Sequence, residues 1–89
     1  MNREVILLKI KEIIADVAEI DAADISDTAT FVEDLDLDSL THLEIGADVN
    51  FAFKLGLTDE TLQKIRSVPE AVKLIEDQLQ ERETRGEVA

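Results

Sequence analysis

Isoleucine and valine carry the first pattern in the chain. Ile6, Ile10, Ile13, Ile14 and Val17 fall at i, i+4, i+7, i+8 and i+11, one stripe of an amphipathic helix from about Arg3 to Ala18. From Ile20 to Asp38 that period is lost, and Asp, Ser and Thr become frequent. Ile25, Phe31, Leu35 and Leu37 are expected to pin this long loop to a core, and loops of this length in small domains are usually functional. Asp38 then offers an N-cap, with Ser39 in the first turn of a second helix. On a helical wheel this helix has two apolar stripes, Ile45/Val49/Phe53 on one side and Leu40/Leu43/Ala47/Phe51 on the other. Glu44 and Asp48 flank the second stripe, so it is expected to face a partner rather than the core; a helix buried on both sides is the alternative.

Thr58-Asp59-Glu60 predicts a short third helix running to about Ile65. Ser67-Val68-Pro69-Glu70 has the form of a capping box, with proline tolerated in the first turn. Val68, Val72, Ile75 and Leu79 then give the last helix its stripe. The expected fold is all-α: a small four-helix, mainly antiparallel bundle with a long loop between helices one and two and a short third helix. One domain spans residues 1–89, with an ordered core of about 3–80 and a charged, frayed tail over 81–89.

Charge sharpens this picture. The net charge of the 89-residue chain is −12, yet twelve acids between Glu12 and Phe53 stand with no Lys or Arg among them. The other nine acids and nine bases cancel. Such a field repels nucleic acid and anionic membrane and attracts basic protein surfaces. No apolar run approaches the roughly 20 residues of a membrane span, and the N-terminus lacks a signal-peptide plan, so a cytoplasmic protein without membrane insertion is expected.

Reactive groups are scarce. Cysteine, tryptophan and tyrosine are absent and His42 is the lone histidine. Three readings of Ser39 compete. A catalytic serine needs an adjacent base and an orienting third group; His42 lies one turn away, but no strand-turn-helix elbow surrounds Ser39, and no catalytic residue is expected. His42 reads instead as a polar residue on a helix face. A calcium loop starting at Asp34 needs Gly sixth and Glu twelfth, where Ser39 and Ile45 stand, so no dedicated metal site is expected. A modification site fits better, because first-turn N–H groups and the helix dipole favour a phosphate on Ser39.

The stretch Asp34-Leu35-Asp36-Leu37-Asp38-Ser39-Leu40, followed by Leu43-Glu44-Ile45, resembles the attachment motif of the acyl carrier protein family over roughly Arg3 to Leu79. The resemblance implies a free-standing carrier, not an enzyme, that holds acyl groups as thioesters on 4′-phosphopantetheine at Ser39. Asp38 would assist a phosphopantetheinyl transferase and its magnesium ion. Leu40, Leu43, Glu44, Ala47, Asp48 and Phe51 would dock basic patches of acyl-transferring and synthase enzymes. An acyl chain would slip between the helices against Ile45, Val49, Phe53 and Ile65. A monomer serving fatty-acid or related lipid biosynthesis is expected. The alternatives are a specialised carrier for polyketide, nonribosomal peptide or modified-lipid synthesis, and an unmodified acidic interaction module. Asn50, Phe51, Lys54, Thr58 and the intrahelical Gly46 depart from the usual pattern of the fatty-acid branch. Phe51 is expected to add an apolar contact for a dedicated partner set.

Overall fold

The computed structural model describes residues 2–84, with side chains described to residue 81. Helix α1 runs Arg3–Ala18, as its stripe predicts. The Asn2 side chain caps it by accepting the Val5 N–H at 2.9 Å, and Glu19 ends it in the left-handed region at φ 58°. Ile6, Ile10 and Ile14 are wholly buried, and α1 packs on helix α4, Val68–Thr84. Val68, Val72 and Ile75 of α4 belong to the same core. Burying each isoleucine contributes about 2 kcal/mol, so this wall supplies much of the hydrophobic stabilisation. The ion pair of Arg3 with Glu76, at 2.8 Å, crosses its rim.

The long connection after α1 is more ordered than its polarity suggests. A 3-10 turn, Ala22–Asp24, follows an Asp21 cap that the sequence pattern does not announce. Ile25, Phe31 and Leu37 are buried as anchors and Leu35 is half-buried; Ala29 is a fifth anchor. Backbone bonds then staple the loop to the start of α4: the Phe31 N–H donates to Arg66 O and the Val68 N–H to Ala29 O, both at 2.9 Å. Thr30 and Ser67 form an isolated antiparallel bridge between them. Lys11 of α1 pairs with Asp27 of the loop.

Helix α2, Ser39–Phe53, buries Ile45, Gly46, Val49 and Phe53 and packs on both α1 and α3. Gly46 has a steric reason to be there. A Cβ on it would stand 3.1 Å from the Leu62 Cβ, so glycine lets the two helices approach closely. Lys54 ends α2 in the left-handed region at φ 54°, where glycine would avoid a cost of about 1 kcal/mol.

Helix α3, Asp59–Gln63, is capped by Thr58 and stops at Lys64, a little before the expected Ile65. The structure also gives Asn50 a role that the sequence comparison with the fatty-acid branch did not suggest. Its side chain accepts the Leu57 N–H at 2.9 Å and donates to the Leu57 carbonyl at 3.1 Å, holding the α2–α3 link. The Ser67 hydroxyl and the Glu70 carboxylate form the capping box that opens α4. That helix continues to Thr84, past the Glu81 at which fraying was expected, and the rest of the tail lies outside the described residues. Among the described residues there are four α-helices and no strand.

Candidate functional site

Asp38 creates the site by starting a helix. Its carboxylate accepts the Thr41 N–H at 2.8 Å, which fixes the first turn of α2 and leaves Ser39 exposed at its entry. That bond, with smaller contributions from the Thr41 hydroxyl and the Leu40 N–H, holds the Asp38 carboxyl below its ordinary value despite a slight opposing desolvation. The stabilisation is of the ionised form.

The acids before Ser39 do not converge. Asp34 turns its carboxylate back to the Thr30 N–H at 2.8 Å and to the Thr30 hydroxyl, Asp38 turns its own forward into α2, and Asp36 lies between them at φ 52°. Among the described residues no group of three or more ligating side chains is arranged for a metal ion.

Beside Ser39 opens a groove of about 510 Å³. Phe31, Val32, Leu40 and Leu43 make its apolar lining, and His42, Gln63 and Arg66 add polar groups. His42 differs from its expected role as a polar residue on a helix face. It is half-buried, its Nε2 meets the Ile65 carbonyl, and its ring stands edge-on to Phe31 at a centroid distance of 5.2 Å. That engagement directs Nε2 away from a general-base role toward Ser39.

Phe31 and His42 also line a second space, an interior void of about 10 Å³ bounded by Ile45, Gly46, Val49, Leu62 and Ile65. Its volume is about that of one water. Three of the four residues expected around an acyl chain, Ile45, Val49 and Ile65, therefore meet at one place. Phe53 is buried but does not border it.

The two stripes of α2 separate cleanly. Ile45, Val49 and Phe53 enter the core, whereas Leu40 is 65% exposed and Phe51 86% exposed. Glu44, Ala47 and Asp48 lie exposed with them, and Leu43 is half-buried at the groove. A helix buried on both sides is thus not what forms.

The features that sequence reasoning missed are long-range. Nothing local marks Arg66 or Gln63 as neighbours of Ser39; only the staple of the loop onto the α3–α4 link brings them there.

The site residues fit a phosphate-linked arm. Ser39 presents an exposed hydroxyl at a helix N-terminus, where an ester phosphate meets first-turn N–H groups, and the groove offers a bed beside it. A model of the phosphopantetheine attachment site family matches residues 8–75, a span that contains Ser39. Acyl carrier proteins are similar along nearly their whole length. That of Rubrobacter xylanophilus is 41% identical over 84% of this chain and 93% of its own. That of Petrotoga mobilis is 34% identical over 89% of this chain and 93% of its own. That of a Picosynechococcus species is 40% identical over 84% and 91%. A chain of this fold, matched over this span, has 4′-phosphopantetheine as its covalently attached prosthetic group and no catalytic activity of its own: it belongs to the acyl carrier protein family.

Proposed function

We propose that this protein is a free-standing, monomeric single-domain acyl carrier whose prosthetic arm is attached at Ser39. The observation that carries the reading is the exposure of the Ser39 hydroxyl in the first turn of an Asp38-capped helix, at the mouth of a groove. Bound there, the arm supplies the thiol on which acyl groups ride as thioesters; the chain itself contains no cysteine. The protein's own residues bind, position and release. Asp38, held ionised by its cap bonds, assists the transferase and its magnesium ion. Leu40, Leu43, Glu44, Ala47, Asp48 and Phe51 form one face on which acidic and apolar groups alternate, suited to basic enzymes that must leave quickly.

An acyl chain would enter between the helices beside Ile45, Val49 and Ile65, a reading supported by the void they border, with Phe53 on the same buried stripe of α2. Fatty-acid or related lipid biosynthesis in the cytoplasm is the first assignment. Among the described residues no helix is long and apolar enough to cross a membrane. The exposed Phe51, an aromatic on an acidic docking face, favours a second assignment to a specialised pathway with its own partners.

Intact mass tests both levels. Incubation with coenzyme A and an active phosphopantetheinyl transferase adds one phosphopantetheine to the wild type and none to Ser39→Ala. An unchanged wild-type mass overturns the reading, as does attachment to Ser39→Ala. The acyl species trapped on the thiol in cells then decides the pathway: saturated fatty chains support the first assignment, and any other class supports the second.

A further inference from the structure

Modification of Ser39 carries an electrostatic difficulty. A phosphodiester brings another negative charge to a segment that already has twelve acids and no base. The groove beside Ser39 contains one arginine, Arg66, contributed by the link between α3 and α4. Its backbone is tied down, because the Arg66 carbonyl accepts the Phe31 N–H at 2.9 Å and the next residue, Ser67, bridges to Thr30. The loop that leads into Ser39 and the residue that carries the guanidinium are therefore parts of one framework. The guanidinium is exposed, and neither ion pair found among the described residues includes it.

Docking does not account for this charge. A base at the edge of an acidic face weakens attraction for basic partners. A phosphate on Ser39 gives it a use. Guanidinium binds phosphate oxygens with two parallel N–H donors, and Ser39 and Arg66 line the same groove.

We infer that Arg66 binds the phosphodiester of the arm on Ser39 and so lays the first part of the arm along the groove, over Leu40 and Leu43. The inference rests on Ser39 as the attachment point. It makes Arg66 a positioning residue whose charge is exposed in the unmodified protein and neutralised in the modified one. In the modified protein that positive charge is no longer offered to partners.

The test compares unmodified and modified forms of the wild type, Arg66→Gln and Arg66→Lys. The unmodified proteins are expected to melt together, since Arg66 lies on the surface. On modification in low salt, Arg66→Gln should lose about 3 °C more than the wild type, and the difference should vanish in high salt. The phosphorus resonance of the arm should shift in Arg66→Gln and be partly restored in Arg66→Lys. Equal melting changes together with an unmoved phosphorus resonance in Arg66→Gln overturn the inference while leaving attachment intact. A protein whose mass never rises fails at the earlier step, and both readings fall with it.

Discussion

The two seams of this bundle are built from different forces. Between α1 and α4, Ile6, Ile10, Ile14, Val68, Val72 and Ile75 are buried to the last few per cent of their surface. Between α2 and α3 the apolar contact sets a glycine against Leu62 and leaves a void the size of a water. Polar bonds add to the second seam on either side of α3, His42 to Ile65 and Asn50 to Leu57. Apolar burial is non-directional and scales with area, so the first seam resists opening throughout. Hydrogen bonds contribute little net free energy each but break one at a time, so the second seam opens locally. A carrier needs both: a frame that survives every transfer, and a side that yields.

Truncating the frame should do the most damage. Ile10→Ala is expected to cost about 3 kcal/mol and to lower the melting temperature by about 15 °C, measured by thermal denaturation. A loss comparable to that of a surface substitution would break the distinction between the seams. Asn50→Ala should cost about 1–2 kcal/mol by stripping Leu57 of both partners. Amide exchange should quicken around α3 and leave the α1–α4 amides unchanged; uniform quickening would show that the seams open together.

The smallest effect concerns acid. The folded-state Asp38 carboxyl titrates below its unfolded value, so the cap stabilises fully above the unfolded value and is lost as pH falls through the folded one. Asp38→Asn keeps a capping oxygen but cannot titrate. Its stability relative to the wild type should therefore improve on going from about pH 5 to about pH 2. A constant gap across that range would refute the account.

Local features of this molecule were readable from the chain because they are set within a turn or two. The α1 stripe, the Asp38 and Thr58 caps and the Ser67/Glu70 box depend on neighbours at most a few residues away, and Ser39 stood out through its flanking acids and leucines. Other features depend on the chain's return to itself. Glycine inside a helix costs about 1 kcal/mol relative to alanine, and Gly46 is explained only by Leu62 of α3. Asn50, a departure from the fatty-acid branch by sequence, is explained by its amide's bonds to Leu57. His42 and Arg66 acquire their meaning from Ile65 and Phe31, residues that no local period connects to them.

The pairing of Thr30 with Ser67 has a kinetic consequence. Helices form from contacts a few residues apart, but this pairing closes a long stretch of chain and bears the entropy of that closure before it returns any contact energy. The surroundings of Ser39 hang on that clasp. They belong to the slowest and least local part of the folding route, while the helix that bears Ser39 belongs to the fastest. A nascent chain thus holds its serine early and its groove late.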